Sequence, residues 1–161
     1  MIFLSLGSNI GDRLNNLKRA ISLIQKSKQV NILSKSKIYE TSPMENYNQA
    51  KFLNQVVKIK TKLPPFELLN FIKSIEFDMG RVKDKKRYMP RIIDIDILTY
   101  DSLCLKDDIL SIPHPKIKLR KFILKPWTDI DSNYILVNSK STIKELLDKV
   151  NNVEDQVKEY N

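Results

Sequence analysis

The sequence predicts an α+β fold in a single domain, and three observations carry that prediction. Four short apolar segments read as strands, and two longer segments carry apolar residues at helical spacing. They follow one another as strand, helix, strand, strand, helix, strand. At 161 residues and 42% hydrophobic content the chain is long and apolar enough for one well-formed core, but short for two domains.

Ile2 to Leu6 is an apolar run with the pattern of a buried strand. Gly7-Ser8-Asn9-Ile10-Gly11 then turns the chain. This is not G-x-G-x-x-G, and no G-x-x-x-x-G-K-[ST] occurs anywhere, so Rossmann and P-loop nucleotide sites are disfavoured. A phosphate could sit at the helix start near Ser8 and Asn9, but delivering strand into helix is the simpler use of the turn. Asp12 is suited to cap a helix over 12–27, whose Leu14, Leu17, Ile21 and Ile24 share a face. Val30 to Glu40 reads as a second strand, with Ile32, Ser34, Ser36 and Ile38 on one side. The polar stretch that follows, to Lys51, is too long for a tight hairpin, and such loops tend to be functional. Phe52 to Thr61 resumes a strand. Pro64-Pro65 opens a helix with proline at its first position, Leu68, Leu69, Ile72, Ile75 and Met79 form its apolar stripe, and Gly80 is suited to terminate it. A basic loop over 81–91 leads into a strand over 92–100. This order is that of a ferredoxin-like βαββαβ core, an antiparallel sheet with both helices on one face.

A C-terminal extension follows the core, which ends near residue 127. Leu103 to Ile112 reads as one or two short strands, and Pro113-His114-Pro115 as a stiff bend. Lys116 to Lys125 reads as a short helix or two turns, ended by Pro126-Trp127. Tyr134 to Val137 is a short strand, and Thr142 with Glu145 forms a capping box that starts a last helix bearing Leu146, Leu147 and Val150. The extension thus spans about 134–150, and the polar residues 151–161 are expected to fray.

The chemistry concentrates in Pro90-Arg91-Ile92-Ile93-Asp94-Ile95-Asp96-Ile97-Leu98. In a strand, Asp94 and Asp96 share one face while Ile93, Ile95 and Ile97 share the other. Two residues of strand rise ~6.6 Å, so the two carboxylates can converge on a pair of divalent cations, and magnesium suits such hard oxygen ligands alongside phosphates. The competing reading is a wet sheet face on which the acids are merely solvated. Two features weigh against it: aspartate is depleted in strands, and like charges two residues apart repel unless a cation stands between them. The preceding loop also sets Arg81, Lys83, Lys85, Lys86, Arg87 and Arg91 against Asp84 alone, which favours an anion clamp over a solvated charged loop. Phe52 and Asn54 share a face at a strand's mouth, where they could hold a flat polar heterocycle or be no more than an edge aromatic and a turn-side amide. His114, the one histidine, lacks partners for a zinc site and is left between a surface residue and a phosphate contact.

The net charge of +9 invites an anionic partner. A basic ferredoxin-like RNA-binding module would explain it, but would want stacking aromatics on central strands, where instead two aspartates would repel a phosphate backbone. Cys104 stands alone between Leu103 and Leu105, which excludes an internal disulfide and reads as a small packed residue. The N-terminus is too short for a signal peptide, and no apolar run approaches ~18 residues. A monomer in a reducing cytoplasm, without nucleic-acid or membrane partners, is expected.

Taken together, Gly7-Ser8-Asn9, Gly80-Arg81-Val82, Pro90 to Ile97 and Pro113-His114-Pro115 resemble the 6-hydroxymethyl-7,8-dihydropterin pyrophosphokinases of folate biosynthesis over residues 2 to 127. The resemblance implies transfer of pyrophosphate from ATP, the co-substrate, to the pterin hydroxymethyl oxygen, with AMP leaving. It implies two magnesium ions on Asp94 and Asp96, with Arg81 and Arg91 joining these acids in catalysis and Asp94 also approaching the pterin. It implies a pterin pocket of Thr41, Ser42, Met44, Phe52, Asn54 and Phe122, with the two phenylalanines sandwiching the ring. ATP would meet Glu76, Lys83, Arg91, Ile97, Ser111, His114 and Arg120, with Tyr88 in a closing lid and the loops 42–51 and 81–90 ordering when both substrates bind. Where Lys83 stands the family usually has arginine, and where Tyr88-Met89 stand it often has an aromatic followed by glycine. A fused pterin-processing or synthase domain is expected to be absent. A relative that has lost activity and serves only to bind other proteins is disfavoured by the intact Arg91, Asp94, Asp96 and His114.

Overall fold

A computed structural model describes residues 1–43, 49–81, 90–150 and 156–161. The chain begins with strand β1 (Ile2–Ser8) and helix α1 (Arg13–Lys26). Asp12 caps α1 by accepting a hydrogen bond from the Asn15 N–H at 3.0 Å. Strands β2 (Val30–Lys35), β3 (Tyr39–Thr41) and β4 (Phe52–Thr61) follow, then helix α2 (Pro65–Asp78) and strand β5 (Asp94–Tyr100). Gly80 closes the end of α2 with a φ of +92°, a left-handed conformation that glycine adopts without penalty. Beyond the core come the two-residue strands β6 (Leu105–Lys106) and β7 (Ser111–Ile112), a 3₁₀ turn (Ile117–Leu119), helices α3 (Lys121–Asp131) and α4 (Ile143–Lys149), and strand β8 (Val157–Glu159).

The main sheet runs β5-β1-β4-β3-β8, with β2 also paired to β4, and its pairs are antiparallel. The strand alternation divides its side chains cleanly. Ile2, Leu4 and Leu6 of β1, Leu53, Val57 and Ile59 of β4, and Ile95 and Ile97 of β5 pack against Leu17 and Ile24 of α1 and Leu68 and Ile72 of α2. The opposite face bears Phe3, Val56 and Leu98, covered by Ile123, Leu124 and Trp127 of α3 and Ile143 and Leu146 of α4. Phe3, Trp127 and Tyr134 form an aromatic trio there, with ring centroids 4.6–5.4 Å apart.

Five local expectations are corrected. The second predicted strand is two strands, because the chain leaves the ladder at 36–38, where the Ser36 hydroxyl and carbonyl take hydrogen bonds from the Val56 N–H and the Gln55 amide. Pro126 does not end the helix; burial of Ile123, Leu124 and Trp127 carries α3 five residues past it at the cost of one backbone hydrogen bond. Tyr134 to Val137 is not a strand but a single bridge between Ile135 and Thr142. The tail does not end in fraying, because β8 pairs with β3. Cys104 is exposed rather than packed, with its sulfur accepting from the Asn138 amide. The capping box of α4 is present in both halves, Thr142 with the Glu145 N–H and Glu145 with the Thr142 N–H.

Candidate active site

On the face covered by α3 and α4, the apolar residues occupy one end of each strand and the polar ones the other. The register sets Ser5 opposite Asp96 and Gly7 opposite Asp94 on one flank, and Gly7 opposite Asn54 on the other. Asn54 in turn lies opposite Tyr39 of β3. Small residues on the central strand thus leave room between an acidic edge and an amide-bearing edge. The space is a cleft of about 200 Å³ lined by Ser5, Gly7, Thr41, Ser42, Gln49, Phe52, Asn54, Arg91, Asp94, Asp96, Lys116, Leu119, Arg120 and Phe122. A second cleft, of about 280 Å³, is lined by Leu69, Lys73, Asp96, Ile97, Asp107 to Leu110, Ser111, His114 and Pro115. Asp96 borders both.

Each wall has a physical cause. Asn54 is buried, and its amide donates to the Thr41 hydroxyl at 2.7 Å, which locks the side chain's orientation. A Cβ on Gly7 would stand 2.9 Å from the Asn54 Oδ1, so the amide's position requires glycine there. Phe52 comes from the start of β4 and Phe122 from the first turn of α3, and the Arg120 guanidinium lies 5.4 Å from the Phe122 ring centroid.

The acidic edge is wired asymmetrically. Asp94 accepts from Arg81 Nη1 at 2.6 Å and is paired with Arg91 as well. Burial alone would raise the Asp94 carboxyl, but Arg91 and Arg81 outweigh it and hold it below the ordinary carboxylate value. Asp96 has the opposite balance. Burial and the neighbouring Asp94 charge push it up to about 6. Lys73 compensates it only weakly, at 3.9 Å. A carboxylate pair with one member short of positive charge, presenting hard oxygens, suits a divalent cation. Among the described residues no third acid, histidine or cysteine joins them as a ligand cluster.

Glu76 sits on the buried stripe of α2 and is 3% exposed. Its Oε1 accepts from the Ile95 N–H at 2.6 Å and from Lys73 Nζ at 2.8 Å, while its Oε2 is paired with Arg81. It therefore ties α2 to the strand that carries the aspartates. His114 is anchored by its N–H to the Leu98 carbonyl at 2.9 Å, and its Nδ1 accepts from the Lys116 N–H. Burial, then the Arg120 charge, lower its imidazole to about 4, so it stands neutral at pH 7.

The structure thus brings Thr41, Ser42, Phe52, Asn54, Arg91, Asp94, Asp96, Arg120 and Phe122 to one cleft, and Ile97, Ser111 and His114 with Asp96 to the other. Arg81 and Glu76 stand behind the acids. Met44, Lys83, Tyr88 and Met89 lie outside the described residues, as does most of the two substrate loops. Sequence reasoning missed Lys73, whose signal was its place one turn before an acid on a buried stripe. It also left Asn9 as a turn residue. Asn9 is 3% exposed, donates to Gln49 Oε1 and the Ala50 carbonyl, and accepts from the Arg91 N–H at 2.7 Å, joining both sides of the cleft.

Comparisons with known proteins identify relatives over most of the chain. Residues 3–132 match the family model described as 7,8-dihydro-6-hydroxymethylpterin-pyrophosphokinase. The 2-amino-4-hydroxy-6-hydroxymethyldihydropteridine pyrophosphokinase of Bacillus subtilis is 41% identical over 128 residues, 80% of this chain and 76% of that protein. The mitochondrial folate synthesis bifunctional protein of Pisum sativum is 46% identical over 129 residues, but the chain spans only 25% of its length. A crystal structure of Plasmodium falciparum HPPK-DHPS shares the fold with a TM-score of 0.73 at 23% identity, covering 92% of this chain and 44% of that one. A family match over most of the chain and a bacterial relative of similar length leave one assignment: the chain belongs to the 7,8-dihydro-6-hydroxymethylpterin-pyrophosphokinase family.

Proposed function

We propose that this chain is a monomeric, single-domain, cytoplasmic enzyme that transfers pyrophosphate from ATP to the hydroxymethyl group of 6-hydroxymethyl-7,8-dihydropterin. The observation that carries the reading is that two clefts of different character share Asp96. The first has aromatic residues on its walls and a locked amide, which suits a flat, hydrogen-bonding bicycle. The second, with Lys73, Ser111 and His114, suits a nucleotide. A two-substrate transfer needs its reacting atoms brought together where two such sites meet. The strand order β5-β1-β4 with β2 and β3 beside it, and α1 and α2 on one face, supports a ferredoxin-like core.

In this reading the hydroxymethyl oxygen attacks the β-phosphorus and loses its proton to solvent, the bond to the α,β-bridging oxygen breaks, and AMP leaves with that oxygen. Asp94 and Asp96 would hold two magnesium ions, which supply positive charge against the phosphates. Arg81 and Arg91, which pair with Asp94, would meet the phosphates with a planar fork suited to bidentate contact. His114, neutral, contributes hydrogen bonding rather than charge. Thr41, Ser42, Met44, Asn54, Phe52 and Phe122 bind the pterin. Glu76, Lys83, Ile97, Ser111 and Arg120 serve the nucleotide side, Glu76 by holding β5 and Lys73 in place, and Tyr88 covers the site. Among the described residues no helix is long and apolar enough to cross a membrane.

The test is a product assay with Mg-ATP and 6-hydroxymethyl-7,8-dihydropterin. AMP formed in step with pterin pyrophosphate is the expected result. ADP would mean simple kinase chemistry, and no pterin-dependent nucleotide product from folded protein would overturn the assignment.

A further inference from the structure

We infer that the C-terminal strand β8 is a positioning element for the polar wall of the first cleft, holding Thr41 and Ser42 in register with Asn54. The inference rests on the reading above for the ligand's class, a pterin-like heterocycle. It concerns a strand outside residues 3–132, the stretch that matches the family.

The need for such an element follows from β3. It has three residues, and the break at 36–38 separates it from β2. A strand this short with one partner is weakly held. Its inner edge pairs with β4, where Thr41 lies opposite Phe52 and Tyr39 opposite Asn54. Its outer edge pairs with β8, Thr41 opposite Val157, Glu40 opposite Lys158 and Tyr39 opposite Glu159. Two further backbone bonds bracket the pair, from the Ser42 N–H to the Gln156 carbonyl at 3.3 Å and from the Tyr160 N–H to the Ile38 carbonyl at 2.9 Å. The ladder therefore runs one residue past β3 into the cleft wall itself.

The two ends of β3 are secured by different elements. Asp129 of α3 accepts from the Lys37 N–H at 3.1 Å and from the Tyr39 hydroxyl at 3.0 Å, fixing the start. At the other end, among the described residues, β8 supplies the backbone partner of Ser42. The Lys37–Glu159 ion pair, 2.9 Å long and exposed on both sides, adds little, so the ladder carries the effect. The Thr41 hydroxyl is what orients the Asn54 amide. A shift of Thr41 would thus reach the ligand-facing amide directly.

The test compares the full chain with Lys158→Pro, Lys158→Val and a deletion of 156–161. Lys158 is exposed, and proline there removes an N–H and cannot sit in a paired strand, whereas valine keeps both. The readouts are KM for 6-hydroxymethyl-7,8-dihydropterin, KM for ATP, kcat, and the NMR signals of the Thr41 methyl and the Asn54 side-chain amide. For Lys158→Pro and the deletion, the pterin KM is expected to rise about tenfold, the worth of one well-placed hydrogen bond, with ATP KM and kcat within about twofold. The Thr41 and Asn54 signals shift in both, and Lys158→Val matches the parent in every readout. An unchanged pterin KM in both disrupted chains, or an equal rise for pterin and ATP, overturns the inference. If the parent chain turns over no pterin, the proposed function fails on its own, and the signals then decide: unmoved Thr41 and Asn54 resonances overturn the positioning role.

Discussion

Asp94 and Asp96 are two residues apart on one strand face, yet their surroundings drive them in opposite directions. Two arginines neutralise Asp94, whereas Asp96 faces burial and a like charge with Lys73 3.9 Å away. A folded-state value of about 6 means that the fold prefers protonated Asp96. The unfolded chain binds fewer protons between about pH 4 and pH 6, so ligand-free stability falls as pH rises through that window and stays reduced above it. Asp96→Asn is therefore expected to raise the melting temperature of the ligand-free protein at pH 8. Asp96→Ala lowers turnover by roughly two to three orders of magnitude if the acid holds a metal as proposed. Calorimetry and steady-state rates check the pair, and turnover within threefold of the parent would exclude the metal role. Gly7 is a second single-residue constraint. In Gly7→Ala the new methyl would sit 2.9 Å from the Asn54 Oδ1, and Asn54 is tethered to Thr41. The expected outcome is a pterin KM raised about tenfold with ATP KM unchanged, because the displaced amide is a ligand-facing hydrogen-bond group. Equal effects on both substrates would refute it.

At the scale of elements, the joint between α3 and β3 is a buried polar contact in a largely apolar layer. Tyr39 is 3% exposed, its hydroxyl donates to Asp129, and Lys125 lies 5.8 Å from its ring centroid. Burial, then the hydrogen bond and charge of Asp129, raise the phenol to about 12, with Glu159 adding to the rise. For a group raised above its unfolded value of 10, the stabilisation is complete below pH 10 and is lost as pH climbs toward 12. Tyr39→Phe is expected to cost roughly 1.5–3 kcal/mol at pH 8, with the gap to the parent narrowing above pH 10. Urea unfolding at pH 8 and pH 11 measures it; no gap at pH 8 would show that the hydroxyl contributes nothing, and a gap that stays constant would show that the fold does not raise the phenol. Elements also mark where local reading stops. Asp12, Gly80 and the Thr142–Glu145 box were legible because a cap is decided within four residues. The end of α3 was not, because Pro126 argues locally for a stop while Trp127, fully buried beside Phe3, argues for continuation from across the chain.

For the whole molecule, the sheet separates two tasks by face. One face is largely apolar under α1 and α2 and supplies the main core. The other is apolar only under α3 and α4, and its remaining half is the candidate site. Periodicity in the sequence was enough to order the core elements, apart from the break at 36–38, and to set Asp94 and Asp96 on one side of β5, because those properties follow from the backbone repeat. The motifs around them were enough to indicate the family. Only the tertiary structure decided that Glu76 is wired to Ile95 and Arg81, that Lys73 stands between helix and acid, that Asn9 joins the two sides of the cleft, and that the polar tail becomes the sheet's edge. The physical reason is range. Caps, periodicity and face assignment are settled by neighbours a few residues away, whereas a buried carboxylate's partners and an edge strand's pairing are settled by groups brought together from distant parts of the chain.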